Sequence, residues 1–160
     1  MGKIWSISHR SAPTRRGATR IIAALAGVAV ALACGSSDGW TAEEVANAEH
    51  MIASLEADRR ATEVENLEEA GPENAMEADV ALEYRERALR EANWVRDEVL
   101  AKAHPDLPAH FRSEHQLSLE LLIEAHRTGD AALKREALLL RDRFGDWYVA
   151  HQREIRIPQG

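Results

Sequence analysis

The sequence predicts an all-α fold: an antiparallel up-and-down bundle of four helices, built as two hairpins and preceded by an N-terminal signal peptide. Three observations predict it. From residue 41 onward the apolar residues recur at spacings of three and four, with no strand-like alternation. Helix breakers at Gly71-Pro72, at Pro105 with Pro108, and at Gly129 divide that region into four segments. The first 34 residues combine a basic stretch, a short apolar run and a cysteine. The expected organisation is a signal peptide over 1–33, a tether over 34–40 and a helical domain over 41–157.

The N-terminal region is read from its charges and its length. Residues 1–20 carry Lys3, Arg10, Arg15, Arg16 and Arg20 and no acid, and Ile21 to Ala33 are thirteen apolar or small residues. Thirteen are too few to cross a bilayer, which takes about 20. A basic segment, a short apolar segment and the small-x-small site Ala31-Leu32-Ala33 together make an export signal. Two readings compete at the cut. An ordinary signal peptidase would release the chain after Ala33. The segment Val30-Ala31-Leu32-Ala33-Cys34 also resembles the lipobox of bacterial lipoproteins, which implies that Cys34 becomes a lipid-bearing N-terminus. The order of Ala31 and Leu32 is the reverse of the usual lipobox pattern. Cys34 is nevertheless the only cysteine in the chain, and Gly35-Ser36-Ser37-Asp38-Gly39 supplies the flexible polar tether an anchored domain needs. The expected location is the bacterial cell envelope, with the protein held to the membrane by lipid on Cys34; the alternative is a secreted or soluble periplasmic protein.

The helices follow in order. Thr41 is placed as the N-cap of the first, and Glu44 three residues later completes a capping box. Val45, Ala48, Ile52 and Leu55 then form an apolar stripe, which thins to Ala61, Val64 and Leu67 among eight charged residues between Glu56 and Glu69. This distal part of the first hairpin, about residues 57–80, is expected to project beyond the bundle or fray. Gly71-Pro72 ends one helix and begins the next. The second helix is expected to run unbroken to about Ala103 on a mostly alanine face (Ala78, Ala81, Leu82, Ala88, Leu89, Ala92, Val95 and Val99), which allows a neighbour to come close. The third spans about 109–127. Thr128-Gly129-Asp130 turns into the fourth, whose stripe is Leu133, Ala137, Leu140, Phe144, Trp147, Tyr148, His151 and Ile155, ended by Pro158.

Composition excludes several function classes. The formal net charge is −7, and residues 1–33 contribute five basic and no acidic residues, so the remaining 127 carry −12. Such a chain is unsuited to nucleic acid, where Lys and Arg must neutralise phosphates, and to lying on anionic lipid without an anchor. With one cysteine there is no disulfide framework. The acidity is concentrated in residues 41–91, with 15 acids against 5 bases. It reads as a solvated helix face or as a docking surface for a basic partner.

No recognisable catalytic motif is present: there is no nucleophile elbow, Gly-rich phosphate loop or distinctive carboxylate pair. The one candidate site is a collection of histidines. Wheel placement sets His115 and His126 on the inner arc of the third helix, and His151 lies in the stripe of the fourth. Antiparallel pairing about Gly129 brings His115 opposite Phe144 and His110 near His151. The same end collects His50, His104, Trp40 and Trp94. Imidazoles are ligands for divalent transition metals, so the expected metal set is His110, His115 and His151, with His50 and His104 nearby and Glu114 or Asp146 as oxygen donors. Trp94 falls off its helix's apolar face, which suits a partner contact or the lipid headgroup level. The primary expectation is a non-enzymatic envelope module that acts by protein binding or self-association, with no cofactor; the alternative is a metal-binding envelope protein using the histidine end.

Overall fold

The structure is a computed structural model that describes residues 39–68 and 77–158. The expected signal peptide, Cys34, the first part of the expected tether and the turn expected at Gly71-Pro72 lie outside the described residues. The protein is all-helical, and there is no strand among the described residues. The helices are α1 (Ala42–Glu68), α2 (Glu77–Trp94), α3 (Asp97–Ala103), α4 (Leu107–His110), a π-helical turn over Phe111–Gln116, α5 (Leu117–Thr128) and α6 (Ala131–His151). No described helix is long and apolar enough to cross a membrane.

The start of α1 has the expected reciprocal cap. The Thr41 amide donates to Glu44 Oε2 at 2.7 Å, and the Glu44 amide donates to Thr41 Oγ1 at 3.2 Å. Lys102 of α3 then fastens this corner: its ammonium bonds the Gly39 carbonyl, pairs with Glu44 at 2.7 Å and lies 4.8 Å over the Trp40 ring. The hydrogen bond from Lys102, followed by that from the Thr41 amide, lowers the Glu44 carboxyl below its ordinary value.

α1 and α2 form a close antiparallel pair. Ala57, Ala61, Ala81, Ala88 and Ala92 are all buried, and with no side chain beyond Cβ they let the two backbones approach. The buried line of α1 differs from the expected stripe. It runs through Met51, Ser54, Asp58 and Ala61 as well as Ala48 and Leu55, while Val45 and Ile52 are only half-buried. Ser54 and Asp58 are not in the expected stripe, yet both are buried, and Ser54 finds its hydrogen-bond partners inside. The expected projection of the hairpin from residue 57 does not hold for the part described. Burial continues to Ala61, Arg141 of α6 donates to Thr62 Oγ1 at 2.9 Å, and Lys134 of α6 lies 3.8 Å from Glu65. Polar contacts from α6 cover a segment that lacks apolar ones. Residues 69–76 and the side chains of Leu67 and Ala78 lie outside the description.

The second helix breaks where the sequence reading ran it on. Arg96 is extended (φ −91°, ψ 140°), so α2 stops at Trp94 and α3 begins at Asp97. A break leaves amide and carbonyl groups without intrahelical partners, and two side chains supply them. Asn47 of α1 clasps both sides: its Nδ2 donates to the Trp94 carbonyl and its Oδ1 accepts from the Arg96 amide, each at 2.8 Å. Arg112 of the π turn donates to the Ala92 carbonyl at 2.9 Å and to the Val95 carbonyl, and its Nε bonds Asp97 at 2.8 Å. The guanidinium thus ties the end of α2 to the start of α3.

The segment expected as one helix over 109–127 is interrupted in the same region. Pro108 sits in the first turn of α4, and the widened π turn Phe111–Gln116 precedes α5. π-Helical turns are commonly found at functional sites. Gly129, at φ 72°, closes α5 with its amide on the Ala125 carbonyl at 2.9 Å, and Asp130 caps α6 by accepting the Ala132 and Leu133 amides. α6 ends at His151, short of the expected Pro158. Residues 152–158 fold back instead: the Arg156 amide donates to the Ala103 carbonyl at 3.0 Å, Ile155 and Ile157 pack on the core and Pro158 is buried.

The main core lies toward this end, where Met51, Leu55, Val95, Leu100, Leu107, Phe111, Phe144 and Tyr148 form one cluster. Two predictions follow from these contacts. Phe144→Ala should lower unfolding stability by about 3–5 kcal/mol, as removal of a buried aromatic does, whereas Leu139→Ala, at a position 59% exposed, should change it by less than about 0.5. Chemical denaturation measures both. Arg112→Ala should cost about 1.5–3 kcal/mol by leaving carbonyls unpaired, and Arg112→Lys should not restore it, since one ammonium cannot reproduce the planar fork. Full recovery in the lysine variant would show that charge alone holds the break.

Candidate functional site

The break between α2 and α3 and the turn before α4 send the chain across one end of the molecule, where it meets the last turns of α6. The site there is built around Trp147. The His110 ring stacks on the indole at 4.3 Å between centroids and 17° between planes, and the His151 ring stacks on it at 4.8 Å and 21°. His104 meets both Trp147 and His151 edge-on at 5.4 Å. Three imidazoles from three elements thus share one indole.

Their partners set the tautomers. His110 Nδ1–H donates to Glu114 Oε2 at 2.8 Å, and His151 Nδ1–H donates to the Trp147 carbonyl at 2.8 Å. In the neutral rings both Nε2 atoms therefore carry lone pairs. His104 is the opposite. Its Nδ1 accepts the Asp106 amide at 3.2 Å, so its Nε2 bears the proton and lies 3.5 Å from Glu154 Oε2. This end offers two imidazole lone pairs on an aromatic platform, flanked by the carboxylates of Glu114 and Glu154.

The expected metal set is divided by the fold. His110 and His151 each stack on Trp147, and their two rings do not form a ring pair with each other. His115 does not join them: its ring lies 5.0 Å from Phe111 and 5.1 Å from Phe144, opposite Phe144 as the pairing placed it. His50 sits beside Trp94, with its Nδ1 on Glu91 Oε2 at 2.7 Å. His126, expected on the inner arc, is exposed in the last turn of α5. Asp146 is exposed. No group of three or more His, Cys, Asp or Glu among the described residues is placed to hold a metal ion. Cys34, the expected lipidation site, lies outside the described residues.

Sequence reasoning missed a second polar cluster, in the interior. Ser54 is fully buried, and its hydroxyl donates to the Ala88 carbonyl at 2.8 Å. His115 Nε2 lies 2.9 Å from the same oxygen. The serine proton is already committed, so His115 must donate and is held as the neutral Nε2–H tautomer. Asp58, one turn from Ser54, is buried too, and its Oδ1 has no hydrogen-bond partner. A serine, a histidine and an aspartate buried in one region suggest nucleophilic chemistry, but here the imidazole donates its proton to serine and cannot take one from it. Both groups are sealed from solvent, at 0% and 1% exposure. This is a packing network. The signal that could have revealed it is the i, i+4 pair Ser54 and Asp58, set among Met51, Ala57 and Ala61.

Comparison with protein-family models, with curated proteins and with solved structures found no match to this chain.

The buried His115 carries a pH prediction. Burial is the main cause that lowers its pKa from 6.5 to about 4. The unfolded chain therefore binds a proton more readily than the fold does. Above pH 6.5 both states are neutral and His115 imposes no pH-linked penalty. Between pH 6.5 and about 4 the unfolded state is favoured increasingly, and below about 4 the loss levels off, at about 3 kcal/mol in all. Denaturant titrations of the parent and of His115→Gln at several pH values separate this term from the carboxylates. The parent should lose about 3 kcal/mol more than the variant on going from pH 7 to pH 4, and parallel curves would show that His115 is protonated within the fold.

Proposed function

We propose that this chain is a non-enzymatic helical module of the bacterial cell envelope, anchored by lipid on Cys34, that acts by binding a protein partner or by self-association. The observation that carries the reading is the N-terminal pattern: five basic residues without an acid, thirteen apolar or small residues, and the only cysteine directly after Ala31-Leu32-Ala33. The fold is compatible with a tethered domain, since the chain leaves the tether at Gly39 and is fastened there by Lys102. The contact residue we assign to association is Trp94. It is 69% exposed, its carbonyl is clasped by Asn47, and His50 stacks beside it at 6.3 Å. Large aromatics held rigidly at a surface are the residues that carry binding energy at interfaces.

Two measurements test this. Cys34→Ser should abolish acyl labelling and release the protein from the membrane fraction; unchanged membrane retention in that variant removes the anchor. A photo-crosslinking residue in place of Trp94 should give an adduct of discrete mass in envelope preparations, twice the monomer mass if the partner is a second copy. The same residue in place of Arg153 should not, and equal adducts at both positions would show that Trp94 is not the contact.

A further inference from the structure

Three consecutive residues where α3 ends, Lys102, Ala103 and His104, hold both ends of the described chain. Lys102 bonds the Gly39 carbonyl and the Glu44 carboxylate and lies over the Trp40 ring. Ala103, the next residue, accepts the Arg156 amide at 3.0 Å. His104 follows and places its Nε2 3.5 Å from Glu154. Glu154 and Arg156 belong to the returning strap of residues 152–158, whose Ile155 and Ile157 pack on the same core cluster as Trp40. The strap has few polar fastenings. Gln152, Arg153, Glu154 and Arg156 are exposed, and among the described residues its one backbone hydrogen bond to another helix is the bond to Ala103. α3 itself is a seven-residue helix flanked by extended backbone at Arg96 and at His104 (φ −161°, ψ 135°). Its helical bonds do not run on through either flank, so a displacement at one point moves it as one body, as short helices do in conformational transitions.

We propose that α3 couples the two ends of the domain: the strap is seated while Lys102 clasps the entering chain, and is released when that clasp opens. A displacement of Gly39 and Trp40 then lifts the strap and bares the apolar seat of Ile155, Ile157 and the buried Pro158. The route is contiguous. It runs from the Gly39 carbonyl through the Lys102 ammonium to the neighbouring Ala103 carbonyl and the Arg156 amide. Coupling between two sites is reciprocal, so unseating the strap must loosen the clasp by the same free energy. The device is independent of the anchor on Cys34 and of the Trp94 contact.

Hydrogen exchange of single amides, followed by NMR in the full chain in detergent, tests this. Lys102→Met keeps an unbranched side chain and removes the ammonium. It should speed exchange of the Arg156 amide at least about fivefold, the lower end of coupling between linked sites. The Gly129 amide, bonded to Ala125 at the far end, should be unchanged. Ile157→Ser, which weakens the seat of the strap, should speed exchange of the Thr41 amide, bonded to Glu44 in the clasped corner, again with Gly129 unchanged. An Arg156 amide that exchanges in Lys102→Met as in the parent shows that the two ends are independent and overturns the proposal. So does a response in one direction only, since coupling must be reciprocal. Equal acceleration at Gly129 in either variant reports a general loss of stability and overturns it too.

Discussion

The arrangement of this protein depends on how the break between α2 and α3 is held. A helix that stops at Trp94 exposes carbonyls that water or side chains must satisfy. Arg112 takes those of Ala92 and Val95, and Asn47 takes that of Trp94 together with the Arg96 amide. Everything at the Gly39 end follows. The break turns α3 across the end of the hairpin, so Lys102 reaches Gly39, Trp40 and Glu44, and Ala103 offers its carbonyl to the returning tail at Arg156. It also delivers His104 and His110 to Trp147. Because Arg112 stands in the π turn, the irregularities in two helices are joined by one side chain.

The interior is unusual in what fills it. Apolar side chains dominate the Gly39 end, around Phe111, Phe144 and Tyr148. Toward the other end Ser54, Asp58, Arg85, His115 and Ser118 are buried among alanines and Leu119, Leu122 and Ile123. Alanine contributes little apolar area, so Leu119, Leu122 and Ile123, close backbone approach and the bonds of Ser54 and Glu65 share the cohesion there. Ser54 joins α1, α2 and the π turn through Ala88 and His115, and Glu65 joins α1 to α2 and α6 through Arg85 and Lys134. Buried polar contacts of this kind demand particular partners, which apolar packing does not, and so help to specify a single register between helices.

The two ends consequently differ in chemistry. At the Gly39 end an aromatic platform carries imidazoles from three elements, with Trp94 exposed on the same side of the molecule as the start of the described chain. At the far end a buried guanidinium and the carboxylate it bonds line a cleft beneath the α5–α6 turn.

Local rules written in the sequence were enough for the all-helical class, the capping box at Thr41 and Glu44, the turn at Gly129, the alanine contact of the first hairpin and the pairing of His115 with Phe144. Each rests on neighbours within a turn or on periodicity, which are properties of the chain itself. Tertiary structure decided the rest. The break at Arg96 has no proline or glycine to announce it, and depends on Asn47 and Arg112, 49 and 16 residues away in sequence. The α6 terminus at His151, the buried rather than exposed Arg85, and the separation of His115 from His110 and His151 likewise depend on partners brought in by other helices. Hydropathy assigns a polar residue to the surface; only the arrangement of the fold can show that its hydrogen-bonding partner is inside.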